Sequence, residues 1–210
     1  MKLLIALPSL DYMHTDTVRC LTSLIMRLKD EGIDFDVEIK TGTLVYVARD
    51  RIANKAIDEG YTHVLWLDAD MIFTDDLLDD LLFCGEEYVS GIAHGRRPPH
   101  YSCLFTSLNP VKRFTEYPTS PFEIAGSGFG CVLMTVNCLK VVRDRFGSCF
   151  CPEKQLGEDL AFCQRLHECG IKMYAEPTVR LGHIGHIPIY PGDEEKWINK
   201  VEGFRECLKE

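Results

Sequence analysis

An unbroken apolar run followed by two acids, residues 63–71, constrains the fold of this chain more than any other stretch. The segment Val64–Leu67 is apolar throughout, a pattern typical of a strand that is buried on both faces in a parallel sheet. Asp68 and Asp70 follow at spacing i, i+2, so both side chains point the same way on an extended chain. Ligands of open α/β sheets bind beyond the carboxyl ends of the strands. We therefore expect the two carboxylates to share one site.

Two adjacent carboxylates need a compensating cation or another local role. No Lys or Arg lies within four positions of this pair, so a divalent cation is the simplest partner. The alternative is helix capping, since Asp is a favoured N-cap residue. Thr74, Asp75 and Asp76 are closer to the helix expected to begin near residue 75. A metal or phosphate site is therefore the favoured interpretation of Asp68 and Asp70.

Strand and helix patterns alternate through the first 67 residues, as in a parallel α/β sheet. The pattern predicts strands at 2–7, 35–40, 63–67 and 88–92, and helices at 15–31, 47–59, 77–83, 137–145 and 158–170. Short antiparallel strands are expected at 101–106 and 113–116, strands at 172–174 and 178–181, and an amphipathic helix at 193–209. The expected fold class is α/β, with a mostly parallel central sheet flanked by helices and a small antiparallel excursion.

Length and charge limit the function classes. A chain of 210 residues is expected to form one domain, 1–210. Its net charge of -9 argues against a nucleic-acid partner, and the absence of any apolar run of about 18 residues predicts no transmembrane segment. The ten cysteines include no Cys-x2-Cys pair, which argues against structural zinc. Reduced thiols and a cytoplasmic location are expected.

Two arginine-containing segments suit an anionic ligand. Arg49 and Asn54 lie near the start of the second helix, where the positive end of the helix dipole attracts anions. A solvated, salt-bridged helix face explains the same pattern. Arg96 and Arg97 follow the fourth strand, and phosphate binding and simple solvation are equally open for them.

A run of alternating glycines, Gly126, Gly128 and Gly130, lets the backbone approach a ligand closely. The run leads into a strand instead of a helix, so it does not match the dinucleotide-binding pattern.

Acids and histidines near the end of the chain supply further candidates. Glu158 and Asp159 occupy the first turn of a helix, where they either complement its dipole or include a general base. His183 and His186 lie in a glycine-flanked loop, as metal ligands or as polar contacts.

Taken in chain order, these segments resemble the GT-A fold glycosyltransferases, in particular family-2-like enzymes. The resemblance extends over nearly the whole chain. It is carried by Leu7-Pro8-Ser9, Arg49 with Asn54, Leu67-Asp68-Ala69-Asp70, Gly126–Gly130, Gly157-Glu158-Asp159 and Leu181–Gly185.

The resemblance implies a Rossmann-like GT-A fold and metal-dependent transfer of a sugar from a UDP- or GDP-sugar to an acceptor hydroxyl on a glycan, a lipid-linked molecule or a protein. It implies Mn2+ or Mg2+ on Asp70 and His183, with Asp68 on the metal or the donor and His186 competing as ligand. Donor contacts are expected from Pro8, Ser9, Arg49, Asn54, Asp68, Gly126 and Gly128. Asp159 is the expected base of an inverting reaction, with Glu158 beside it, although retaining enzymes share the fold and the metal motif.

The implied organisation is a nucleotide-sugar half at 1–92, an acceptor and catalytic half at 93–192, and a C-terminal helix at 193–210 that leaves homo-oligomers possible. Three alternatives remain open. An aspartate-nucleophile phosphohydrolase favours Thr or Val four residues after the first acid, where this chain has Ile72. A nucleotidyltransferase usually carries a glycine-rich, basic first loop, unlike Leu7–Asp11. A non-catalytic nucleotide-sugar binder would still bind its ligand after the loss of Asp159.

Overall fold

A seven-stranded mixed sheet forms the centre of the molecule, in a computed structural model that describes residues 1–153 and 156–185. The strands are β1 (Lys2–Pro8), β2 (Asp34–Lys40), β3 (His63–Leu67), β4 (Met71–Ile72), β5 (Tyr88–Ile92), β6 (Leu104–Leu108), β7 (Val111–Arg113), β8 (Phe122–Ile124), β9 (Gly126–Ser127), β10 (Cys131–Thr135), β11 (Met173–Arg180) and β12 (Gly182–His183). The helices are α1 (Thr15–Asp30), α2 (Val45–Asp58), α3 (Leu77–Phe83), α4 (Val136–Phe146) and α5 (Glu158–Glu168).

The strand order of the central sheet is β2-β1-β3-β10-β5-β11-β8. Strands β2, β1 and β3 pair in parallel, and β5 and β11 run in the same direction as these three. Strands β10 and β8 run the opposite way. The predicted α/β class, with a mostly parallel sheet and a small antiparallel excursion, is therefore confirmed.

Both faces of the sheet are covered, which explains the apolar run in β3. Val64 and Trp66 belong to the hydrophobic cluster that contains residues of α2, α4 and α5. Leu65 and Leu67 belong to the cluster that contains residues of α1 and α3. Successive strand side chains point to opposite faces, so a strand covered on both faces needs apolar residues at consecutive positions.

Several predicted elements differ from the structure. The two strands predicted at 172–174 and 178–181 are one strand, β11, whose register against β5 shifts between Ala175 and Arg180. The excursion does contain antiparallel strands, but β6 and β7 are displaced from the predicted positions, and β9 completes their sheet. Strands β4, β8 and β12 were not predicted. The predicted helix at 193–209 lies outside the described residues.

None of the helices in residues 1–153 and 156–185 combines the length and the apolar character that a bilayer crossing requires.

Close packing of β5 against β11 leads to a first testable expectation, at Gly91. An ideal Cβ at this position would lie 2.7 Å from Val179 Cγ1, 2.9 Å from Leu181 Cδ1 and 3.2 Å from the Val179 carbonyl oxygen. Val179 is buried and β-branched, so it has little freedom to move aside. We expect Gly91→Ala to lower the free energy of unfolding by about 1–3 kcal/mol, the usual cost of overpacking. Urea unfolding measures this change.

Gly95→Ala is the matched control, because among the residues that the structure describes an ideal Cβ there meets only the Tyr101 carbonyl oxygen, at an ordinary 3.6 Å. Equal stability of the two variants would contradict the close packing of β5 on β11.

Candidate active site

A cleft of about 530 Å³ opens beyond the carboxyl ends of β1, β3 and β5, within the size range of small-molecule sites. Its lining includes the sequence-predicted residues Pro8, Ser9, Arg49, Asp68, Asp70, Arg96, Gly128, Glu158, Asp159 and His183. The fold thus brings residues from the first loop, the Asp-x-Asp segment, the excursion, α5 and β12 to one place. This agrees with the rule that ligands of α/β sheets bind at this edge.

Asp68 is held by Arg49, which bridges two carboxylates. The Arg49 guanidinium lies 2.7 Å from Asp68 Oδ1 through Nη2 and 2.7 Å from Glu158 Oε1 through Nη1. Its side chain is only 4% exposed and lies over the ring of Phe129, 5.0 Å from the centroid. Burial raises the pKa of Asp68 above its ordinary value, and Arg49 opposes that rise. Arg49 therefore ties the end of β3 to the start of α5.

Asp70 has a different pair of partners. Arg96 Nη1 lies 2.6 Å from Asp70 Oδ2, and His183 Nε2 lies 3.4 Å from the same oxygen. Burial by itself would raise the pKa of Asp70, but His183 and Arg96 outweigh burial and leave that pKa below its ordinary value. The contact with Asp70 likewise raises the pKa of His183. Asp70 is therefore an anionic carboxylate in a partly enclosed setting.

The short ribbon of β4 and β12 places His183 beside Asp70. His183 pairs with Met71 across the ribbon, and the Ile184 N–H donates to the Asp70 carbonyl oxygen at 2.9 Å. The His183 Nδ1–H donates to the carbonyl oxygen of His94 at 2.8 Å. A carbonyl oxygen only accepts hydrogen bonds, so Nδ1 carries a proton, and Nε2 is the ring nitrogen directed towards Asp70. Metal-ligating histidines are usually oriented in this way.

The spacing of these two side chains is compatible with two adjacent ligands of a divalent cation. Ligands at about 2.1 Å in octahedral geometry lie about 3 Å apart when adjacent, close to the 3.4 Å between Asp70 Oδ2 and His183 Nε2. Within the part of the chain that the structure describes, no group of three or more His, Cys, Asp or Glu side chains is arranged to hold a metal. Mg2+ commonly takes one or two protein ligands and completes its shell with phosphate and water. His186 lies outside the described residues.

Glu158 and Asp159 begin α5 but have different surroundings. Glu158 faces Arg49, whereas Asp159 has no ion pair within residues 1–153 and 156–185. Asp159 Oδ1 accepts the Leu160 N–H at 2.8 Å. An ideal Cβ at Gly128 would lie 3.8 Å from Asp159 Oδ2. Asp159 is therefore positioned by the start of the helix while its second oxygen faces the space beside Gly128.

Two of the expected donor-binding residues do not line the cleft. Asn54 Oδ1 accepts a hydrogen bond from Arg143 Nη1 at 3.3 Å, on the side of α2 that packs against α4. Gly126 is buried, and an ideal Cβ there would lie 3.1 Å from Cys163 Cβ. Both entered the expected site through the family resemblance, as members of the segments that also contain the cleft residues Arg49 and Gly128.

Other cleft residues had no marker in the sequence. Asp11, Tyr12, His14 and Cys103 line the cleft, and the carbonyl of His94 orients His183. Every residue has a backbone carbonyl, so the residue type does not show that this carbonyl has a role. The nearest signal for the others was their position just after β1 or within the long excursion.

The charge of the cleft is unfavourable to an anion. Of the described residues, five acids and two arginines line it: Asp11, Asp68, Asp70, Glu158 and Asp159 against Arg49 and Arg96. Both arginines already contact carboxylates. A diphosphate ligand would therefore need an additional cation.

Comparison with known proteins identifies the fold. No protein-family model and no curated protein matches the sequence. Among solved structures, A197 from STIV superimposes with a TM-score of 0.62 at 16% identity, over 89% of this chain and 87% of that one. A UDP-glucose pyrophosphorylase complexed with UDP-glucose superimposes with a TM-score of 0.54 at 10% identity, over 87% of this chain and 92% of the other. The chain thus has an α/β fold that it shares with a protein that binds a nucleotide sugar.

Proposed function

We propose that this protein is a metal-dependent glycosyltransferase, which moves a sugar from a nucleoside-diphosphate sugar to an acceptor hydroxyl. The observation that carries the proposal is the Asp70–His183 pair, 3.4 Å apart, in which the His94 carbonyl engages Nδ1 and leaves Nε2 as the nitrogen that would ligate a metal beside Asp70. The fold similarity to a protein complexed with UDP-glucose supports the same class of ligand.

The residues of the cleft would have different roles in the proposed reaction. Asp70 and His183 would hold Mn2+ or Mg2+, and that cation would supply Lewis-acid stabilisation to the departing nucleoside diphosphate. Arg49 holds and orients the Asp68 side chain at the end of β3, where its oxygens can accept hydrogen bonds from sugar or ribose hydroxyls. The excess of carboxylates explains why the donor diphosphate would bind together with a cation.

Asp159 is the proposed general base. It accepts the acceptor hydroxyl proton as the oxygen attacks the anomeric carbon, and the bond from that carbon to the phosphate oxygen breaks. Among the acids at the start of α5, Asp159 is the suitable one, because Glu158 is engaged by Arg49. An inverting reaction follows when the base and the leaving group lie on opposite faces of the sugar.

Nucleotide binding is the first test. Thermal unfolding is measured with UDP, GDP, CDP and TDP, each with and without Mn2+. We expect one nucleotide to stabilise the protein only when Mn2+ is present, by about 2.7 kcal/mol at about 100 times its Kd. Asp70→Asn should abolish the effect, whereas Asp30→Asn, at the exposed end of α1, should leave it intact. Stabilisation that survives Asp70→Asn would remove the support for the proposed metal site.

A nucleotidyl transfer is the second candidate, because the UDP-glucose pyrophosphorylase has a related fold. The products distinguish the two reactions. Glycosyl transfer releases a nucleoside diphosphate from the nucleotide sugar, whereas a pyrophosphorylase reaction consumes pyrophosphate and forms a nucleoside triphosphate.

Gly128, expected from the sequence as a donor contact, lies beside the proposed base Asp159 in the structure, and this gives an expectation for the acceptor side of the site. A Cβ there meets Cys103 Cβ at 3.5 Å and Asp159 Oδ2 at 3.8 Å, both ordinary contacts. We expect Gly128→Ala to fold normally and to bind nucleotide and Mn2+ as wild type does. The methyl group occupies space beside the proposed base, so transfer should fall about tenfold, equivalent to about 1.4 kcal/mol. Steady-state rates and nucleotide affinity are compared, and loss of both together would contradict this assignment.

A further inference from the structure

We propose that Arg96 exchanges partners during the reaction cycle: it covers Asp70 before metal and donor bind, and it pairs with the donor diphosphate afterwards. This inference rests on the proposed function. The carboxylate oxygen that Arg96 contacts, Asp70 Oδ2 at 2.6 Å, is the same oxygen that lies 3.4 Å from His183 Nε2. Arg96 therefore contacts the carboxylate oxygen with which Asp70, together with His183, would coordinate a cation.

A guanidinium and a divalent cation cannot share this oxygen at low cost. Both are positive, and like charges a few ångström apart in a partly enclosed cleft repel each other. Metal that arrives alone must displace Arg96 into solvent. Metal that arrives with a diphosphate offers Arg96 a new partner, because the guanidinium fork matches the geometry of phosphate oxygens. The exchange therefore favours joint entry of metal and donor.

The structure allows this movement at Arg96 but not at Arg49. The backbone of Arg96 packs closely against the segment that follows β12, since an ideal Cβ at Gly185 would lie only 2.7 Å from the Arg96 carbonyl oxygen. The Arg96 side chain, in contrast, is 53% exposed, so it can change partner by rotation about its own bonds, a fast motion for exposed side chains. Arg49 is 4% exposed and bridges two carboxylates. Of the two arginines that line the cleft, Arg96 is the one suited to exchange.

The inference predicts opposite effects of one substitution on two ligands. In Arg96→Gln, Asp70 is no longer covered by a cation, so the affinity for Mn2+ alone should rise about threefold, as expected for loss of a half-exposed ion pair. The affinity for the nucleotide at saturating Mn2+ should fall about tenfold, because a charge-assisted phosphate contact is lost. Electron paramagnetic resonance of free Mn2+ gives the first constant, and calorimetry with UDP, GDP, CDP and TDP gives the second.

Two further variants make the result specific. Arg97→Gln is the matched control, because Arg97 is exposed, is absent from the cleft lining and makes no ion pair within the described part of the chain; both constants should stay within twofold of wild type. Arg96→Lys keeps the charge without the fork, so its affinity for Mn2+ alone should match wild type while its nucleotide affinity lies between those of wild type and Arg96→Gln.

The outcomes separate this inference from the proposed function. Weakened binding of both ligands in Arg96→Gln, or no change in either, overturns the exchange while nucleotide binding by wild type still supports the transferase. Tighter Mn2+ binding with unchanged nucleotide affinity also overturns it, because Arg96 would then only cover Asp70. If wild type binds none of the four nucleotides with Mn2+, the proposed function fails and the exchange fails with it.

Discussion

Asp159→Asn should lower the transfer rate by about 10²- to 10⁴-fold, the usual contribution of a positioned general base. The amide has nearly the same shape as the carboxylate, and its oxygen can still accept the Leu160 N–H that Asp159 Oδ1 accepts at 2.8 Å. Folding should therefore be preserved, and the affinity for nucleotide and Mn2+ should be unchanged. The rate falls because an amide cannot accept the proton of the acceptor hydroxyl.

The measurement is release of nucleoside diphosphate from the nucleotide sugar whose nucleotide binds the protein. Glu158→Gln is the companion variant. Because Glu158 is paired with Arg49, we expect Glu158→Gln to lower the transfer rate less than Asp159→Asn does. A transfer rate for Asp159→Asn within threefold of wild type would place the base elsewhere or point to a retaining reaction. A larger loss in Glu158→Gln would reverse the assignment of the two acids.

Much of the fold was predictable because local sequence patterns reflect which residues the fold buries and where its helices end. The apolar run in β3 is required wherever both faces of a strand are covered, and here the two hydrophobic clusters cover them. The helices before Gly32 and Gly60 were predictable because both glycines adopt positive φ, 70° in each case, just after the helix ends. The β4–β12 ribbon was not predictable. Its strands are two residues each and join distant parts of the chain, so neither carries a periodic pattern.

The candidate site was predictable as a set of residues but not as a set of contacts. Asp68 and Asp70 have no basic neighbours in sequence, which suggested a cation between them. The structure instead gives Asp68 a partner 19 positions away in Arg49, and gives Asp70 a partner 26 positions away in Arg96. Spacing along one strand shows which way a side chain points, but not which charges the fold brings towards it. Asn54 and Gly126 belong to the same sequence segments as Arg49 and Gly128, yet the fold does not place them in the cleft lining.

Arg49→Met should lower the free energy of unfolding by about 2–4 kcal/mol, somewhat less than the cost of breaking a fully buried ion pair. Methionine retains much of the apolar stem but leaves the carboxylates of Asp68 and Glu158 without the cation that lies 2.7 Å from each. These two side chains are 29% and 18% exposed, so water compensates only in part. Urea unfolding measures the loss. Arg51→Met, at an exposed position two residues further along α2, should change stability by no more than about 0.5 kcal/mol.

A double variant tests whether the unpaired charge is the cause. Glu158→Gln in the Arg49→Met background removes one of the two carboxylates that lost their cationic partner. The double variant should therefore be more stable than Arg49→Met alone. The coupling energy in this cycle should be about 1–3 kcal/mol. Strictly additive losses would mean that Arg49 acts through packing against Phe129 instead. Because Arg49 joins the end of β3 to the start of α5, a positive coupling would also explain how one buried arginine keeps the Asp68–Asp70 segment and Asp159 on the same cleft.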